Sequence, residues 1–265
     1  MFMRISILLL IMLGHTAFSQ TTIDAFAKRI KKHREGYKRD LIRDLHSPIT
    51  KYDLRFIDFF EPDSSYIIDC KIERLKDQKF FNFLTSSGKK RKYKKFTKLS
   101  CVVRDTLIEL YTYESKRLLQ SKKYKDYIFL PFTDNTNGDT TYGGGRYLDL
   151  QRDDFSGDSI SIDFNLCYNP YCAYSSGYSC AIPPKENALP VYIEAGEKKY
   201  RGRKKHRAHK KANKKNQKAK LKMQKAKLKI QAEKSIIKKI TPSNSNQINN
   251  KRYFEPGQEK MKIGK

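Results

Sequence analysis

The chain reads as a mainly β (α+β) protein, an antiparallel sandwich or partly closed barrel. An N-terminal amphipathic helix precedes it and a C-terminal lysine-rich helix follows it. Three observations carry that reading. From about residue 56 to residue 195, short runs rich in β-branched and aromatic residues recur between turn formers, roughly every 8–12 residues, as in antiparallel all-β domains. Ahead of them, Phe26, Ile30, His33, Tyr37, Leu41 and Leu45 are spaced by threes and fours, which places them on one helical face. Behind them the composition changes abruptly. Residues 198–265 hold 25 Lys and Arg against 3 Asp and Glu, a net +22, whereas residues 1–197 carry only +6. A nearly balanced body therefore bears a basic extension, and the two need separate explanations.

Taken in order, residues 1–19 have the features of an export signal: Arg4, the apolar run 5–13, and small residues at Ala17 and Ser19. Cleavage is expected before Gln20. The run is too short to span a bilayer as a mature helix, and no cysteine follows the cleavage point to take a lipid. The product is expected outside the cytoplasm, periplasmic or extracellular and associated with the envelope. Next comes the amphipathic helix, residues 21–46, capped by Thr22 or Asp24 and stopped by Ser47-Pro48. Its apolar face is expected to pack on the sheet that follows. Strands are expected at 56–60, 66–73, 80–84, 93–99, 100–104, 106–113, 127–132, 146–150, 159–164 and 191–195. Turns are read at Ser86–Gly88 and near Arg104-Asp105, and the basic cluster 89–95 is read as a solvated hairpin tip. The domain is bounded at 20–200.

The extension opens with two near-identical heptads, 217–223 and 224–230, and a looser third copy. Ala219, Met223, Ala226, Ile230, Ile237 and Ile240 line one seam, so a helix, with coiled-coil character, is expected over 201–240. Thr241-Pro242 ends it, and 241–265 reads as disordered. Such a helix is drawn to anionic envelope surfaces, lipid or lipopolysaccharide. Nucleic acid is expected as a non-specific contact only. A solvated extension without a single partner is the plainer alternative.

Five cysteines follow the leader. Cys172 and Cys180, eight apart across a Ser-Ser-Gly turn, are the expected disulfide, and Cys70 and Cys101 read as buried thiols in strands. A zinc site on Cys167, Cys172 and Cys180 lacks the short C-x2-C knuckle and a nearby histidine. No metal or cofactor is expected.

The densest chemistry lies between residues 127 and 199. Gly143-Gly144-Gly145 frees the backbone before Arg146, whose guanidinium suits a carboxylate or phosphate. Strand alternation puts Arg146, Leu148 and Leu150 on one face and Tyr147 and Asp149 on the other. Arg146 either clamps an anionic ligand or pairs with Asp134, Asp149 or Glu186 to lock the loops. The candidate ligand-binding set is Asp134, Thr141, Tyr142, Arg146, Asp149, Asn165, Asn169, Tyr171 and Glu186. No catalytic residue is assigned. Histidine is missing from this stretch, and no G-x-S-x-G, H-E-x-x-H or Walker-type loop occurs.

The ordered runs P-F-x-D-x-T-x-G-x-x-T-Y-G-x-G-R-Y-L-D from Pro131, D-F-N-x-x-Y-N-P-x-C-A-Y from Asp163, P-P-x-E-N-x-L from Pro183 and A-G-E at 195–197 resemble a known family. So do Ser47-Pro48-Ile49 and Phe59-Phe60-x-Pro62-Asp63. It is the bacterial family catalogued as domain of unknown function 1684. The resemblance spans about residues 28–198, with Cys167 extra to the pattern. It implies a single domain without an assigned activity. The expectation is an exported β-rich domain that binds a small anionic ligand and is held at the envelope by its basic extension. A metal-independent hydrolase using Asp134, Asp149 or Glu186 is one alternative, and a structural envelope protein is the other.

Overall fold

A computed structural model of the chain describes residues 24–206 and 219–233. Residues 1–23, which include the expected export signal, lie outside it, as do 207–218 and 234–265, which include the tail read as disordered. Helix α1, residues 24–43, buries Ile30, Tyr37 and Leu41 and leaves Lys28, Lys31 and Lys32 exposed, as its periodicity requires. Two of these side chains pack elsewhere than on the sheet where they were expected. Tyr37 and Leu41 pack with Ile49, Ile57, Ala173 and Tyr174, because the chain after Ser47 and the 168–174 loop cover the helix first. Residues Lys51–Phe56 form a 3-10 turn where a strand was expected to begin.

The body is one antiparallel sheet curved into a half-barrel. Its strands are β1 Ile67–Arg74, β2 Phe81–Leu84, β3 Lys90–Val103, β4 Thr106–Ser115, β5 Tyr127–Phe132, β6 Arg146–Gln151 and β7 Ser159–Asp163. The order is β6-β5-β4-β3-β1-β7, with β2 also on β3. A short helix, α2 Lys116–Leu119, follows β4. The two strands expected at 93–99 and 100–104 are one 14-residue strand with a bulge between Lys95 and Lys98. Lys90 to Lys95 thus sit within β3, not at a hairpin tip. Residues 191–195 form no strand; the carbonyls of Tyr192, Ile193 and Ala195 accept from side chains, and that of Val191 from the Asn135 N–H. The β3–β4 turn is the expected Arg104-Asp105 pair, both left-handed, the geometry that matches strand twist in a two-residue hairpin.

All six residues of β5 are buried, so both faces of the sheet are covered. The inner face is mainly aliphatic, with Ile128, Leu130, Leu148 and Ile162, and Ile193 joins the cluster that covers it. The outer face is aromatic, with Phe83, Tyr93, Tyr113, Tyr127, Phe129 and Tyr147. Burial of a large apolar side chain contributes about 1.5–3 kcal/mol, so these two clusters dominate the fold. Cys70 and Cys101 face each other in the β1–β3 register and form a disulfide, with Cα atoms 4.4 Å apart. The reading of both as thiols is corrected. Their strands place them in a close cross-strand pair, where sulfur atoms can meet. Cys172 and Cys180 also lie at disulfide distance, as expected, and Cys167 is a buried thiol.

Residues 219–233 are helical and, apart from Lys220, exposed; we label this segment α3. The helix expected over 201–240 does not begin at 201: residues 201–206 are not helical, because Lys205 pairs its backbone with Tyr174 and Ser176, and residues 207–218 and 234–240 lie outside the described residues. No described helix is long and apolar enough to cross a membrane.

Candidate functional site

Arg146 opens β6 with its side chain on the inner face, beside Leu148, as alternation demands. It is 0% exposed. Its Nη2 donates to Asp134 Oδ2 at 2.8 Å and to the Ile193 carbonyl at 2.7 Å, and Nη1 donates to the Ala195 carbonyl. The Phe132 ring covers it, with its centroid 5.3 Å away. Of the guanidinium nitrogens, Nε has no hydrogen-bond partner. Asp134 in turn accepts from the backbone N–H and hydroxyl of Thr136. The Thr136 hydroxyl meets that of Thr141 at 2.8 Å, and Asn137 donates to Thr141 Oγ1 and to the Tyr142 carbonyl. The 133–145 loop is thereby closed on itself. Gly145 completes the closure: its φ is +83°, and a Cβ there would meet the Phe132 carbonyl at 2.5 Å. Of the two readings of Arg146, this is the lock with Asp134; a guanidinium with two carbonyls and a carboxylate has little left for a ligand.

The other candidates go to separate ties. Asp149 is exposed on the opposite face and accepts from the Tyr127 and Tyr168 hydroxyls at 2.7 and 2.6 Å. Asn165 holds Asp63 through its backbone N–H and carbonyl. Asn169 donates to the Lys198 carbonyl. Tyr171 donates to Asp44 at the end of the helix region. Glu186 pairs with Lys95 at 3.1 Å, and although its partial burial works against the charge, its own backbone N–H, Lys95 and Tyr113 hold its carboxyl below the ordinary range. The carboxylates Asp134, Asp149 and Glu186 therefore serve three different sets of partners.

A second buried carboxylate escaped the sequence reading. Glu197, from the A-G-E run, is 0% exposed. It accepts from Tyr37 at 2.9 Å, Tyr174 at 2.7 Å and the Asn169 N–H at 3.0 Å. Burial, then the Glu197 charge, raises both phenols well above their ordinary value. Preceding it, Gly196 has φ +75°, and a Cβ would lie 2.3 Å from Cys167 Sγ.

An open concavity arises from strand geometry. β1 leaves β3 at the Arg74–Thr97 pair, and β2 joins it only at Phe81–Tyr93. Between them, residues 94–96 of β3 have no strand beside them on that edge, and the bulge lies there too. Thr112 Oγ1 takes the Thr97 N–H. The gap is a cleft of about 450 Å³. Arg74, Lys94, Lys95 and Arg152 line it, with Asp77 and the buried carboxylate of Glu114. Glu114 is neutralised by Lys94 at 2.9 Å and by Arg152. Bulges are enriched beside binding sites because they re-aim side chains out of a ladder. The nine residues picked from the sequence are not in its wall. Its signal in the sequence was the basic run 89–95 followed by Phe96, which a solvated turn seemed to explain.

Among the described residues no group of three or more His, Cys, Asp and Glu is placed to hold a metal. Cys167 faces the Ala195 carbonyl, apart from the Cys172–Cys180 pair.

No curated protein matches the chain. Among solved structures, the NMR structure of an uncharacterized protein from Haloarcula marismortui is similar, at 28% identity and a TM-score of 0.49. That match covers 70% of this chain and 96% of the other. The A-G-E run that carries Glu197, the Arg146–Asp134 loop and the Asn165 tie all fall within residues 53–198, the stretch matched by the family described as Protein of unknown function (DUF1684), and the chain belongs to that family.

Proposed function

We propose that the chain is an exported β-rich domain that binds a small anionic ligand and is held at the cell envelope by its basic extension. The observation that carries the reading is the cleft at the β3 bulge. Four cationic side chains line it against two carboxylates, Asp77 and Glu114; Glu114 engages Lys94 and Arg152, and Lys95 also reaches Glu186 outside the wall. A concave site with that excess favours a phosphate or a carboxylate, and low-dielectric walls strengthen the attraction. The ligand site thus moves from Arg146 to the edge of β3. Two cysteine pairs at disulfide distance support an oxidising compartment. The lysine-rich helix, of which 219–233 is the described part, supplies the electrostatic tether.

The test is the thermal shift of the full chain with inorganic phosphate, citrate and glycerol phosphate. A ligand at a hundred times its Kd stabilises by about 2.7 kcal/mol, and K95A should lose that shift while keeping its own melting temperature nearly unchanged. If no anion shifts the native chain, or K95A shifts equally, the cleft is not the site.

A further inference from the structure

On the reading that the extension tethers the protein to an anionic surface, the folded domain has a face that would lie against it. We propose that the exposed turn Lys51–Phe56, with residues 199–204 beside it, docks on anionic phospholipid headgroups at the bilayer interface.

Tyr52 is 65% exposed, although the turn that carries it is anchored by buried Asp53 and flanked by buried Ile57. The Arg55 guanidinium lies 3.7 Å from the Tyr52 ring centroid and 4.9 Å from that of Phe56. Phe56 meets Tyr200 edge-on at 6.3 Å, and the Arg201 N–H donates to the Phe56 carbonyl. The strap that leads into the basic extension therefore runs along this turn. Its charge is lopsided in a way that ion pairing does not cancel. Over residues 48–58 and 199–206 there are seven Lys and Arg against two Asp. Both aspartates are already engaged, Asp53 by Lys205 and Asp58 by Arg201. Lys51, Arg55, Arg203 and Lys204 are left exposed around the aromatic pair.

Aromatic side chains with a polar tip settle at headgroup depth, and guanidinium forks match phosphate oxygens. Stacking on Tyr52 covers the flat face of Arg55 while leaving its edge donors outward. Proximity adds to this. A lysine-rich segment held on a lipid surface starts at the strap itself, so the turn is presented to that surface at high effective concentration. Charge complementarity and continuity with the extension both select anionic phospholipid as the occupant.

The chain contains no tryptophan, so Tyr52→Trp in the full chain gives a single reporter at the proposed contact. Vesicles of phosphatidylcholine, alone or mixed with phosphatidylglycerol, supply the surface. With phosphatidylglycerol present, the expected result is co-sedimentation, a blue shift of the tryptophan emission, and several-fold weaker binding when Arg55→Glu is added. Co-sedimentation with unchanged emission, or with an undiminished affinity in R55E, overturns the docking face and leaves the tether standing. No co-sedimentation overturns both.

Discussion

Two buried carboxylates lie on either side of one short segment, residues 193–197, and they are satisfied in opposite ways. Asp134 is met by a cation: Arg146 binds it and then uses its remaining donors on the carbonyls of Ile193 and Ala195. Glu197 is met by two phenols, Tyr37 and Tyr174, and by a backbone N–H. The difference follows from what each side must join. Arg146 closes a loop onto its own strand, twelve residues from Asp134, where the other side chain that donates to the carboxylate, Thr136, belongs to the same loop. Glu197 joins α1 to the 168–174 loop, which are far apart in sequence, through side chains that also bury apolar area. A charge pair there would have had to desolvate two ions instead of one. The comparison predicts unequal sensitivities.

The largest effect is expected at the charge pair. Arg146→Met leaves the Asp134 carboxylate buried without its cation and should cost about 3–5 kcal/mol in urea unfolding. Adding Asp134→Asn removes the orphaned charge and should restore part of that loss, a coupling that a double-mutant cycle reads directly. A loss below about 1 kcal/mol for R146M would mean that the lock lies elsewhere. On the same inner face, Cys70→Ala with Cys101→Ala opens a link between residues 31 apart, expected to cost about 3–4 kcal/mol by loop-closure entropy. Intact chain should show one thiol, Cys167, and only after denaturation.

At Glu197 the effects should be smaller because the phenols and the N–H that hold it are uncharged, and losing one leaves two in place. Tyr174→Phe or Tyr37→Phe removes one hydrogen bond to a charged acceptor, about 1.5–3 kcal/mol. The two losses should be less than additive, since each hydroxyl also touches the other at 2.8 Å. If Y37F alone released α1, read as a separate early transition by circular dichroism, then the phenol and not the apolar face holds the helix.

These contrasts also mark what a sequence can show. Period-two alternation placed Arg146 with Leu148 and opposite Tyr147 and Asp149, because side-chain direction on a strand is local. The helix face with Ile30, Tyr37 and Leu41 was legible for the same reason. The Cys70–Cys101 bond was not, since it depends on the register of β1 against β3, set across a long connection. Glu197 stood out only as part of the A-G-E run, past the expected strand, because its partners lie 160 and 23 residues away. The cleft was hidden for a different reason. It exists where β3 lacks a neighbour on one edge, and strand-like residues give no sign of which of them go unpaired. Loop composition around Arg146 suggested a ligand, but a loop that locks itself needs the same Asp, Asn, Thr and Gly.

The smallest predicted effect lies where both carboxylates are felt together, at Cys167. Its thiol is pushed up from an ordinary 9.0 to about 11, first by burial, which Arg146 partly offsets and Asp134 and Glu197 reinforce. A folded-state value above the unfolded one means that the native chain holds the proton longer. Its stabilising effect is complete below the unfolded value and is lost as pH rises through the folded one. At pH 10 the loss is about 1.4 kcal/mol, one pKa unit of differential protonation. The buried phenols Tyr37 and Tyr174 are shifted in the same direction and add to the decline only above their own ordinary value. Cys167→Ala should therefore flatten the fall in stability between about pH 9 and 10 while leaving the steeper fall above it. Melting curves of both chains across that range decide it: parallel curves would show that Cys167 takes no part in alkaline unfolding, and that the phenols account for it alone.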